Sequence, residues 1–126
     1  MHHYDYAVVR VLPRVERGEQ INVGVILSCA AAGTLRARFD LDEAALLCLA
    51  PGLDLQPIRA ALAGIEAVCM GGESAGAIGR LSPRERFHWL VAPRSTSVQV
   101  SPVHTGRCDD LDAVLEELMR KMVRRG

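Results

Sequence analysis

The sequence predicts an α+β fold: an antiparallel sheet of about four strands with helices packed on one face, in the order β-β-β-α-α-α-β-α. Three observations carry that expectation. The chain has 126 residues, 49% of them hydrophobic, which suits one domain spanning residues 1–126. Its first forty residues hold three apolar runs of strand length joined by short connections, the pattern of antiparallel neighbours. After Asp40 the apolar spacing changes to three and four, the period of a helix face.

Tyr4 to Leu12 reads as the first strand. Tyr4, Tyr6, Val8 and Leu12 share one face and Ala7, Val9 and Val11 the other, so both faces are apolar and the strand is interior to its sheet. Arg10 interrupts the first face, and Pro13, which cannot donate to a ladder, ends the run. Ile21 to Cys29 is a second strand, also apolar on both faces, in which Gly24 marks a bulge or a close backbone approach. Gly18, in the connection between them, is expected at positive φ. The third strand, Thr34 to Phe39, alternates Leu35, Ala37 and Phe39 with Thr34, Arg36 and Arg38, so one of its faces is wet.

Asp40 and Glu43 have N-cap and N3 spacing for a short helix to about Leu49, stopped by Pro51-Gly52. Asp54 opens a second helix, with Leu55, Ile58, Leu62, Ile65 and Val68 on one face and Gly71-Gly72 at its end. Residues 71–80 read as a mobile glycine-rich loop. Ser82-Pro83-Arg84-Glu85 combines a capping Ser, a Pro in the first turn and a Glu at N3, which predicts a helix from Pro83 to Val91. Phe87 to Val91 also fits a strand pattern. Thr96 to Val103 is read as the fourth strand. From Asp109, taken as N-cap, a last helix carries Leu111, Val114, Leu115, Leu118 and Met122 on one face, with acids first and bases last as the helix dipole favours.

Composition narrows function mainly by exclusion. Fifteen basic and fifteen acidic side chains cancel, which argues against a general nucleic-acid-coating role. The distribution is uneven: residues 1–40 and 80–107 together hold ten Arg against five acids, so a local positive face forms if those segments meet. Cys29, Cys48, Cys69 and Cys108 are spread without C-x-x-C or Cys-His ligand spacing, so reduced thiols are expected, with no metal and no cofactor. No apolar run approaches the roughly 18 residues a bilayer span needs, and no basic segment precedes an apolar one at the N-terminus. A cytoplasmic protein is the expectation.

Three segments concentrate binding chemistry. The eight-residue connection Pro13–Gln20 is longer than most hairpin loops and sets Arg14 and Arg17 three apart, with Glu16 and Glu19 available to neutralise them; Asn22 and Arg10 flank it. Arg86 and Trp89 share a helix face, where a guanidinium stacked on the only indole would hold a base or a partner's side chain, while a core Trp with a locally paired Arg is the plainer reading. Arg94-Ser95-Thr96 offers a guanidinium, two hydroxyls and backbone N–H groups to an anion, or simply starts a strand. His104 and Thr105, ahead of Asp109 and Asp110, suggest a base and an orienting acid, yet no Ser carries nucleophile-elbow glycines, so no catalytic residue is assigned.

Pro13-Arg14-Val15-Glu16-Arg17-Gly18-Glu19 with Asn22-Val23-Gly24-Val25-Ile26, Arg86-Phe87-His88-Trp89-Leu90-Val91-Ala92-Pro93-Arg94-Ser95-Thr96, and Ser101-Pro102-Val103-His104-Thr105-Gly106 together resemble a family of small bacterial proteins known as a domain of unknown function. The resemblance runs from Tyr4 through Asp110. It implies no activity and no site residues; it implies an accessory or regulatory partner of kinases similar to the HipA toxin type.

The functional expectation is therefore a small interaction or regulatory protein, more an adaptor than an enzyme. Its binding residues would be Arg10, Arg14, Arg17, Asn22, Arg86, Trp89, Arg94, Ser95, Thr96, His104 and Thr105, bordering one recess. The alternatives are an anion, nucleotide or single-stranded nucleic-acid binder using the same Arg set, and a His104-centred hydrolase. Homodimerisation through a strand edge or the last helix is also open.

Overall fold

In the computed structural model the described residues are 1–93 and 96–124. Strands β1 (His2–Val11), β2 (Ile21–Cys29) and β3 (Thr34–Phe39) come first. Helices α1 (Glu43–Leu49), α2 (Gln56–Met70) and α3 (Pro83–Leu90) follow, then β4 (Val98–Val100), β5 (His104–Cys108) and α4 (Leu111–Met122). Every strand pairing is antiparallel, in the order β3-β2-β1-β4, with β5 also paired to β1. The α+β architecture is the one the sequence predicts, and residues 83–90 are helical.

The fourth strand, expected over Thr96–Val103, is confined to Val98–Val100, and β5 is a fifth strand that the sequence did not lead us to expect. β4 pairs with Val9–Val11 and β5 with His2–Tyr6, so the two share the outer edge of β1. Between them Pro102 supplies no N–H, and Ser101 secures the join. Its N–H donates to Val8 O at 2.8 Å, and its Oγ accepts from Val8 N–H at 2.9 Å.

Layering also differs from the expectation, because helices cover both faces. Val9, Val11, Val23 and Ile26 pack with Leu46, Ile58, Leu62, Phe87 and Leu90 from α1–α3. Val25 and Leu27 point the other way and pack with Leu115, Leu118 and Met119 of α4. Strand alternation makes this unavoidable: a β2 with apolar side chains on both faces needs a helix on each. Arg36 and Arg38 of β3 reach Asp112 and Glu116 of α4, which fixes that helix over the β2–β3 side of its face.

Gly24 serves both roles anticipated for it. The β1–β2 register slips between Val9 and Arg10, leaving Val23 as the extra residue, and a Cβ on Gly24 would lie 2.3 Å from Phe39 Cδ1 and 2.5 Å from Arg38 O. Gly18 has φ +73°, as its turn requires. Residues 71–80, expected as a loop, instead form 3-10 turns over Glu73–Arg80, kinked at Gly76.

Two caps shift by one or two residues. Asp42, not Asp40, caps α1, because the Asp40 N–H extends the β2–β3 ladder to Val23 O at 2.7 Å. Asp110, not Asp109, caps α4, accepting from the N–H groups of Asp112 and Ala113. The Ser82 capping box of α3 forms in full, with Glu85 N–H donating to Ser82 Oγ and Ser82 N–H to the Glu85 carboxylate.

Candidate functional site

The capping box and Pro83 fix where α3 begins, and Phe87 and Leu90 fix its rotation by burying almost completely. That rotation leaves Trp89 at the outer margin, 41% exposed. Beside it lies a groove of about 410 Å³, with small and aliphatic residues of α2 (Ala61, Gly64, Ile65, Val68) as one wall and β4 as the other. Ala75 and Thr96 complete the rim. The groove exists because α2 and α3 sit over β1–β3 and stop short of the sheet's edge strand.

That edge carries hydrogen-bonding capacity. Ser101 N–H bonds Val8 O, and Leu12 N–H bonds Ser97 O at 2.7 Å, so Ser97 and Ser101 face β1. By alternation Val98 and Val100 turn their backbone groups outward. The Thr96 hydroxyl donates to Val98 O at 2.7 Å. Among the described residues no strand lies beyond β4, so the Val98 N–H and both polar groups of Val100 remain at the open edge.

The expected binding residues do not border one recess. Trp89 and Thr96 line the groove; Asn22 lies on the opposite side of the sheet, where its amide donates to Met122 O at 2.9 Å and caps the end of α4. Arg10 shares that side by strand alternation, opposite Asn22 and Gln99; its Nε is shielded from water and has no hydrogen-bond partner among the described residues. Arg14 and Arg17 lie on the exposed β1–β2 connection, with Arg17 Nε 2.6 Å from Glu19. Strand parity keeps Arg10 from the indole, and neither Arg14 nor Arg17 lines the groove. Arg94 and Ser95 lie outside the described residues.

Arg86 has another task. It is 8% exposed, and its guanidinium donates to Val68 O at 2.6 Å, Cys69 O at 2.8 Å and Leu81 O at 3.2 Å. The Val68 and Cys69 carbonyls are among those a helix leaves unpaired at its C-terminus, where a cation is favoured, so Arg86 closes the end of α2 and ties α3 to it. A side chain at Gly71 would strike that guanidinium at 2.7 Å. Burial pushes the neighbouring Cys69 thiol up to about 12, against the opposing pull of Arg86.

His104 stacks on Tyr6, with ring centroids 5.3 Å apart, and among the described residues donates to no hydroxyl and no carboxylate. Asp110, one of the two acids read as able to orient it, is spent on the α4 cap. Thr105 belongs to a second recess with His3, Asp5, Arg84 and Arg107, four residues the sequence reading did not single out. Alternation along β1 and β5 would have placed His3, Asp5, Thr105 and Arg107 on one face, had β5 been recognised as a strand beside His2–Tyr6. No helix of the described residues is long and apolar enough to cross a membrane.

The family model described as a protein of unknown function, DUF3037, matches residues 6–123. The chain belongs to this family. No curated protein and no solved structure matches it. The groove beside Trp89 falls entirely within the DUF3037 span, whereas His3 and Asp5 of the second recess precede it.

Proposed function

We propose that this DUF3037 protein is a cytoplasmic, non-enzymatic interaction module that seats an apolar, extended segment of a partner protein in the groove between α2, α3 and β4. One observation carries the reading: the chain's single Trp is 41% exposed at the rim of an apolar recess whose far wall is a strand edge left unpaired among the described residues. Exposed indoles beside apolar concavities are typical anchors of protein interfaces. A segment laid along β4 would find backbone donors and an acceptor at Val98 and Val100, and side-chain space against Ala61 and Gly64. A HipA-like kinase is the partner to test first, on the strength of the resemblance given above.

A second copy of the chain is the other reading the β4 edge favours, by antiparallel pairing across a two-fold axis. Nucleotide or single-stranded nucleic-acid binding at this surface is weakened, because Arg86 is committed to backbone carbonyls and the lining is apolar.

The test is affinity capture from native extract with the wild type and Trp89→Ser in parallel, followed by sedimentation of the purified protein. A stoichiometric partner held by the wild type and lost with Trp89→Ser supports the module. A wild type that captures nothing and sediments as a monomer, or a partner held equally by both, rules it out.

A further inference from the structure

The second recess lies at the other end of β1, on the face covered by α1–α3, and encloses about 580 Å³. Its lining is more polar than that of the groove. Alternation brings His3 and Asp5 of β1 to the same face as their cross-strand partners Arg107 and Thr105 of β5. Arg84 enters from the first turn of α3. Its Nη1 forms an ion pair with Asp5 Oδ2 at 2.7 Å and donates to the buried Ser28 hydroxyl at 3.2 Å, and its guanidinium lies 5.2 Å from the Phe87 ring centroid. Three contacts from three elements therefore hold one end of this guanidinium still. Among the described residues its Nε and Nη2 have no hydrogen-bond partner. Arg107 makes no ion pair among the described residues, so two guanidinium groups face the recess against the single carboxylate of Asp5, which Arg84 already engages.

We propose that this recess binds a small molecule bearing an oxyanion, a phosphate ester or a carboxylate, held between Arg84 and Arg107 with Thr105 supplying a hydroxyl. A guanidinium fixed along one edge and open along the other presents the paired N–H donors that match an oxyanion's two oxygens, with little ordering left to do on binding. Asp5 and Ser28 act as positioning residues: they set Arg84 and leave its other edge toward the ligand. The recess is several times the size of one oxyanion, so the charged group is recognised as part of a larger molecule. This site is separate from the groove beside Trp89 and does not depend on the function proposed there.

Calorimetric titration of the full chain with inorganic phosphate, pyrophosphate and citrate tests the assignment, repeated at high ionic strength. The wild type is expected to bind at least one of them in a salt-sensitive manner, and the preferred oxyanion identifies the ligand's charged group. Arg107→Gln and Arg84→Gln should each weaken binding by about tenfold or more, while Arg59→Gln, which removes an exposed charge paired with Glu43, should leave it unchanged. The Arg107 side chain is exposed and makes no ion pair or hydrogen bond among the described residues, so its variant decides the matter if Arg84→Gln fails to fold. Wild-type binding to none of the three, or equal loss in Arg59→Gln and Arg107→Gln, would overturn the assignment.

Discussion

Arg86 offers the sharpest test of how this fold is held. It is a buried cation whose compensation comes from the carbonyls of Val68, Cys69 and Leu81 and from the negative end of α2. Arg86→Met keeps most of the side chain's bulk and removes all three donations. Hydrogen bonds to a charged group contribute roughly 1.5–3 kcal/mol each, and the two short ones carry most of that. Their loss also leaves two buried carbonyls unsatisfied, whereas relief of the Arg86 desolvation penalty acts in the opposite direction. The net expectation is a loss of about 3–5 kcal/mol, comparable to breaking other buried charged contacts. For a chain of this length that lowers the thermal midpoint by about 10–20 °C. Arg86→Lys, able to reach one carbonyl only, should fall between. Urea unfolding followed by far-UV circular dichroism measures all three proteins. An Arg86→Met variant within about 1 kcal/mol of wild type would refute the carbonyl clamp.

Other consequences follow from the packing and the ionisable groups. Gly24→Ala should destabilise by about 2–3 kcal/mol in the same unfolding assay, because the new methyl meets the Arg38 carbonyl, which cannot move without breaking the β2–β3 ladder. In native protein at pH 8 a thiol reagent should label Cys48 quickly and Cys108 slowly, while buried Cys29 and Cys69, the latter raised to about 12, react only after unfolding; four equal rates would contradict this. The hydrogen bond from Arg124 foremost, with support from Arg38, holds the Glu116 carboxyl below its usual range. Its contribution is therefore present above the unfolded carboxylate pKa and disappears as pH falls through the lower folded value. The stability gap between wild type and Glu116→Gln should shrink on going from pH 7 to pH 3.

Much of the fold was legible because local chemistry and tertiary role agree. Ser82, Pro83 and Glu85 encode a helix start by themselves, Gly18 stands at a left-handed turn, and Gly24 stands where a side chain would strike β3. The apolar residues on both faces of β2 already required helices on both sides, a conclusion the one-sided arrangement overlooked. Cap assignments slipped where two carboxylates lie close in sequence, since only tertiary contacts decide between Asp109 and Asp110 or between Asp40 and Asp42. The site was harder to read. Helical spacing put Arg86 beside Trp89, but nothing local says that its side chain turns back to the end of α2. Arg10 and Asn22 were grouped with Trp89 by chemical type, and strand parity separates them. Among the described residues of that set only Trp89 and Thr96 border the groove, and Thr105 leads to the second recess.

Because Trp89 is the chain's only indole, its fluorescence reports on the groove once the partner's own emission is subtracted. Acrylamide quenching of the free protein, repeated on the complex with its captured partner, addresses the docking claim directly. A partner seated against α3 and β4 should shield the ring, shift its emission to the blue and lower the quenching constant. An emission spectrum and quenching constant unchanged in a complex shown to be fully formed would mean that the partner binds elsewhere.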